Sequence, residues 1–225
     1  MVREKVDSVI RANIKRFARS FADNEKQKLI IRALDFTNEA CSDRQGNITK
    51  AALLNSVLAT TDFLIDSGIT DPFIITASLL SGAVNGAPEG ILKNIPDEMR
   101  SDDVIDDAYL VVRHVFGDDI LSKVRPAMVP QWSSICDTAE TDLPFKGVLL
   151  KNPESGIVKL AYFYTTVSRL KSIADPGDRK AAAMELLPAL QVFIECVVDL
   201  SVQIKQTAQK DIMQTFYSIR AFAIA

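Results

Sequence analysis

Apolar residues recur along the chain at steps of three and four, and alternation with a period of two never lasts beyond a few residues, which is the pattern of an all-α protein. The first helix is expected from about Val2 to Phe21, with Val6, Ile10, Ile14 and Phe17 on one face and Lys15, Arg16 and Arg19 off it. The second is expected to open at Asn24, with Gln27 reaching back in a capping-box spacing, and to end near the polar run Ser42 to Asn47. A third, about Thr49 to Asp66, carries Leu53, Leu54, Val57, Leu58 and Phe63 and stops before Gly68. Asp71 followed by Pro72 is a cap followed by a first-turn proline. The helix it starts, through Ile74, Ala77, Leu79 and Leu80, has no polar face and is therefore expected to be buried on all sides.

Glycines and prolines break the regularity twice. Gly86 to Arg100 reads as a loop with one turn of helix, and Arg125 to Pro153, which holds the lone Trp132, as a second interruption. Between them a helix from about Asp102 to Phe116 is expected, capped at Ser101 and stopped by Gly117, followed by a short one from Asp118. Beyond Pro153 the pattern predicts a long helix, Gly156 to Ile173, then a turn at Asp175-Pro176-Gly177 and two more helices, the first bent at Pro188. Phe193, Val197, Leu200, Ile204, Ala208, Ile212, Phe216 and Ile219 continue as one stripe and predict a long C-terminal helix. Without repeats or a flexible linker, residues 1–225 are expected to form a single helical domain.

A net charge of -3 with both signs interleaved gives no field that would gather nucleic acid or anionic lipid. Cys41, Cys136 and Cys196 fit no paired-cysteine motif and read as buried small hydrophobes in a reducing compartment. Residues 1–7 lack the apolar core of a signal peptide, and no run is expected to approach the roughly 20 apolar residues of a membrane span, so the expectation is a soluble intracellular protein, without distinguishing cytoplasm, organelle or nucleus.

One stretch is more specific. Gly68-Ile69-Thr70-Asp71 followed by Ile75-Thr76-Ala77-Ser78-Leu79-Leu80, then Phe116-Gly117-Asp118-Asp119-Ile120, then Val158-Lys159-Leu160-Ala161, stand in the order of landmarks in a known family. Asp35-Phe36 and the polar turn from Asp43 to Asn47 agree with its opening helix and substrate loop. Together they resemble the HD-domain small alarmone hydrolases related to RelA/SpoT, over about residues 29–173, and imply an HD-domain-like helical bundle with C-terminal helices at about 178–222.

Members of that family hold a divalent metal, usually manganese, with histidines and aspartates, and the metal-activated water attacks the pyrophosphate ester of ppGpp. The resemblance places Asn55 at the first histidine, Ser81 and Gly82 at the His-Asp pair, Asn85 and Gly86 at the acid pair, Tyr162 at the last aspartate and Thr166 at a family asparagine. Arg44 lies near a substrate-binding basic position, and Lys159 matches the motif lysine, expected on the helix surface or behind the ligands. Ser, Gly and Tyr are poor ligands for such an ion, and without it water is too weak an acid to attack at neutral pH. The chain also has a single histidine, His114, which reads as a solvated helix residue. Asp102, Asp103, Asp106 and Asp107 read as first-turn acids at a helix dipole rather than a cation site.

The resemblance therefore implies a pseudoenzyme with no catalytic residues, metal or cofactor, serving as a protein-binding or scaffolding module with a protein partner or a second copy of itself. The expected partners include neither nucleic acid nor membrane. Ile212, Phe216 and Ile219 on the last helix are the candidate interface, or else they close the core. A non-hydrolysing nucleotide sensor using the remnant pocket, and an enzyme with an unrelated site, are the alternatives.

Overall fold

A computed structural model describes residues 2–42, 50–93, 95–127, 152–200 and 203–224. Every regular element among them is helical. The chain divides into two compact units, Met1–Met128 and Val129–Ala225, where a single domain was expected; the boundary falls inside the proline-marked stretch after Arg125.

The first unit contains α1 (Val2–Arg19), α2 (Asn24–Ser42), α3 (Lys50–Asp66), α4 (Pro72–Gly86), α5 (Pro88–Leu92), α6 (Val104–Phe116) and α7 (Asp118–Ala127), with one 3-10 turn at Asp97–Met99. Its centre is α4. Asp71 caps it by accepting the Phe73 N–H at 2.7 Å, Pro72 occupies the first turn, and every residue from Ile74 to Val84 is buried. An apolar helix without a polar face is satisfied only when wrapped, and α2, α3 and α7 all pack on it. Of the hydroxyls it carries inward, Ser78 shares a hydrogen bond of 3.0 Å with Thr61, while Thr76 Oγ1 has no partner among the described residues; Thr37 of α2 donates to the Leu79 carbonyl at 3.2 Å.

Two caps lie beside the residues the sequence suggested. Asp23, not Asn24, caps α2 by accepting the Glu25 N–H at 2.9 Å. Asp103, not Ser101, caps α6 by accepting the Ile105 and Asp106 N–H groups at 2.9 and 3.0 Å. Ser101 is instead drawn to the buried carboxylate of Asp107, to which its Oγ donates at 2.9 Å. The stops are as expected: Gly68 and Gly117 take φ of 94° and 86°, a region that penalises any side chain.

The second unit contains α8 (Pro153–Arg169), extended by a 3-10 turn at Leu170–Ser172, then α9 (Pro176–Leu200) and α10 (Gln206–Ile224). The expected turn at Asp175-Pro176-Gly177 is the start of α9, with Asp175 accepting the Asp178 N–H at 2.8 Å. Two helices follow Asp175 as expected, but the stripe from Phe193 to Ile219 is not one helix: α9 ends at Leu200 and α10 begins at Gln206. The two pack against each other and both pack on α8. Their meeting point is aromatic: Phe163 stacks on Phe193 with centroids 4.5 Å apart and meets Phe216 edge-on at 5.4 Å.

α9 also corrects the expectation that no run approaches a membrane span. It is 25 residues long with an 18-residue stretch of mean hydropathy 1.7, long and apolar enough by length and composition to cross a bilayer. Its Leu186, Leu190, Phe193, Val197 and Leu200 are buried in the second unit, although only 39% of the apolar stretch is buried.

Candidate functional site

The residues matched to family functional positions fall in both units: Asn55, Ser81, Gly82, Asn85 and Gly86 in the first, Lys159, Tyr162 and Thr166 in the second. Arg44, Trp132 and Cys136 lie outside the described residues. Cys41 and Cys196 are buried.

In the first unit α3 and α4 bring Asn55 and the Ser81-Gly82 pair onto neighbouring helices. The helices approach so closely at Gly82 that a Cβ there would lie 2.5 and 2.9 Å from the two methyl groups of Val57. Val57 is 1% exposed and β-branched, so those methyls have little freedom to withdraw. The Ser81 hydroxyl is turned back onto its own helix, donating to the Ser78 carbonyl at 3.3 Å. Asn85 is exposed, and Gly86 is half-buried at the end of α4. A divalent ion needs several charged or lone-pair donors converging on one point. One hydroxyl committed to a carbonyl, beside a glycine with no room for a side chain, does not fit one. Asn55 differs: its Oδ1 is buried with no hydrogen-bond partner among the described residues.

In the second unit Thr166 likewise turns its hydroxyl back, donating to the Tyr162 carbonyl at 2.9 Å, and Tyr162 itself is half-buried. Lys159 is not on the helix surface. It is 4% exposed, because Ser155 to Ala161 in the first half of α8 are all buried. Burial disfavours the charged amine and pulls its pKa from the ordinary 10.5 down to about 8. The folded value lies below the unfolded one, so the unfolded chain binds the extra proton between them and stability rises with pH across that interval. From about pH 8 to about pH 10 the wild type is therefore expected to gain stability relative to Lys159→Met, which carries no proton, by on the order of 1–3 kcal/mol. Paired urea titrations would check this; parallel pH profiles of the two proteins would contradict it.

The candidate interface Ile212, Phe216 and Ile219 is buried inside the second unit, at 0%, 0% and 5% exposure. Of the two readings, interface or core closure, this burial is that of residues closing the core, with Phe216 edge-on to Phe163 of α8. His114 is exposed near the end of α6, and the acidic residues at the start of that helix are engaged locally, Asp103 as a cap, Asp107 with Ser101 and Asp106 beside Arg125 at 3.4 Å.

A concave surface not anticipated from the sequence lies in the first unit. It is an open groove of about 1040 Å³ running along the outer face of α2, walled by Lys15 and Arg19 of α1 and by Val115 and Phe116 of α6. Phe36 meets Phe116 edge-on at 5.4 Å in its floor, and the Arg32 guanidinium lies over the Phe116 ring at 5.4 Å. Charges at steps of four, three and four along α2 were its available signal, but an exposed charged stripe is the ordinary outer face of any helix. Comparison of the chain with family models, with curated proteins and with solved structures gives no match.

Proposed function

We propose that the chain is a non-hydrolytic protein of the HD type that serves as a protein-binding or scaffolding module. The contact between Gly82 and Val57 carries this reading: where an HD site carries a metal-ligating aspartate, two helices are packed too closely for any side chain. A position closed by core packing has exchanged ligation for helix-helix contact, and what such a bundle offers is its surface.

Purified protein is expected to contain no stoichiometric manganese, iron or zinc, and to give no ppGpp hydrolysis above a protein-free control with manganese added. The double substitution Ser81→His/Gly82→Asp is expected to bind no metal and to lower stability, since the new carboxylate must displace Val57. Turnover by the wild type, or metal binding by the double variant, would overturn the proposal. A second reading, a nucleotide sensor without turnover, has the unpaired Oδ1 of Asn55 in its favour, an acceptor that a ligand N–H or O–H would satisfy. Saturable ppGpp binding in calorimetry, abolished by Asn55→Leu, is the result that would prefer it.

A further inference from the structure

We infer that the open face of α9 is a self-association surface, covered by α9 of a second copy of this chain running antiparallel to it. The inference rests on the proposed protein-binding role and names the partner. α9 is apolar enough to cross a bilayer, yet most of its apolar stretch is not buried. A helix apolar nearly all round calls for a neighbour on every side, and Phe193, stacked on Phe163 of α8, accounts for one side only. On another side Met184, Leu187, Gln191, Ile194 and Val198 follow one another at steps of three, four, three and four. At 100° per residue they fall within a stripe about 80° wide, turned away from Phe193. Met184 and Val198 are 56% and 59% exposed, Gln191 is exposed, and Leu187 and Ile194 are half-buried, so a second helix can reach the stripe. Alternating steps of three and four are the seam along which two helices pair. Pro188 lies beside that seam rather than in it.

Charge selects the second copy and its direction. Lys180 continues the seam one step before Met184, and Glu195 and Asp199 flank its far end. Laid parallel, Lys180 would meet Lys180 and the two acidic ends would lie side by side. Laid antiparallel about a two-fold axis at the level of Ala189, Met184 meets the second copy's Ile194, Leu187 its Gln191 and Val198 its Lys180. Each contact occurs twice, as an isologous interface requires. The lysine stem then lies along Val198, and its ammonium reaches Asp199 beside it, with Glu195 one turn back. Neither Lys180 nor Asp199 makes an ion pair among the described residues. A bilayer is the poorer occupant, because it would take Glu195 and Asp199 toward hydrocarbon. Both copies of α9 are already held in their own units, so pairing orders no new helix. The seam from Met184 to Val198 spans only about 21 Å, and the dimer is therefore weak and concentration-dependent.

Sedimentation velocity on the full chain, read beside flotation with phosphatidylcholine vesicles, tests this. The wild type is expected to pass from monomer to dimer as concentration rises and to leave the vesicles unbound. Met184→Glu sets a carboxylate against Ile194 of the second copy at both ends of the seam and should weaken association at least about tenfold. Its circular dichroism should be unchanged, the side chain being exposed. Lys180→Glu and Asp199→Lys each turn two attractive contacts into two repulsive ones and should weaken association about tenfold. Mixed in equal amounts, these two variants should dimerise again, because opposite charges then meet at both ends. A wild type that stays monomeric at every concentration overturns the inference, as does a dimer indifferent to Met184→Glu or a charge-reversed mixture that stays monomeric. Vesicle binding by the wild type that Met184→Glu abolishes would assign the face to lipid and overturn it as well. None of these outcomes touches the hydrolysis assay: turnover would overturn the proposed function and leave the dimer standing, whereas a monomer without turnover would overturn the dimer alone.

Discussion

Replacing Gly90 by alanine is expected to cost the first unit about 3 kcal/mol or more, at or beyond the upper end of what overpacking a core normally costs. Gly90 lies in α5, and a Cβ there would come within 1.9 Å of the Ala40 carbonyl oxygen and 2.8 Å of its carbon. Both atoms are backbone of α2, so no rotamer change relieves the clash; α5 must move off α2 as a body. That displacement would also pull at Arg100, whose guanidinium holds the end of α5 by donating to the Leu92 carbonyl at 2.8 Å and the Ile95 carbonyl at 2.7 Å. Urea unfolding followed by circular dichroism would read the loss as a lowered midpoint with little change of slope. A midpoint at the wild-type value would mean that α5 does not approach α2 as closely as this.

Why some of this was legible in the sequence and some was not comes down to which signals are local. Gly68 and Gly117 end helices at positive φ, which a glycine announces by itself. The burial of α4 from Ile74 to Val84 follows from its lack of any charged position to turn outward. Caps are ambiguous by a residue or two where cap-competent side chains adjoin, as at Asp23-Asn24 and across Ser101 to Asp103, because the choice depends on which side chain finds a competing partner. Asp175-Pro176 is the same signal as Asp71-Pro72, yet the glycine after it makes it read as a turn.

The C-terminal pair shows the stronger failure. Residues 201–205, Ser-Val-Gln-Ile-Lys, contain neither glycine nor proline, and the three- and four-residue rhythm runs through them unbroken. Periodicity reports which face of each helix is apolar and is blind to a reversal of direction between two helices that share a core. The α2 groove was hidden for a related reason. Concavity arises from the neighbours α1 and α6, and α2's own sequence shows only an exposed charged stripe. The division into two units, likewise, is a property of contacts that the prolines after Arg125 mark without explaining.

Because α10 folds back onto α8 and α9, substituting its inward residues should unfold the second unit. Phe216 and Ile212 are each fully buried, and the Phe216 ring lies 5.4 Å from Phe163, itself stacked on Phe193. Truncating such an aromatic alone costs about 3–5 kcal/mol, and a carboxylate in its place adds the penalty of an unpaired buried charge. Set against a total stability of about 5–15 kcal/mol for a typical domain, Ile212→Asp/Phe216→Asp is expected to abolish cooperative unfolding of this unit. Tyr217 is the internal control, since it neighbours Phe216 on α10 but is 49% exposed. Tyr217→Asp is expected to shift stability by no more than about 0.5 kcal/mol. Thermal melts, with limited proteolysis to see which unit is cut, separate the outcomes. If the double variant melts like the wild type and resists protease equally, then Ile212 and Phe216 do not close this core, and the aromatic contact among the three helices is not what holds the unit together.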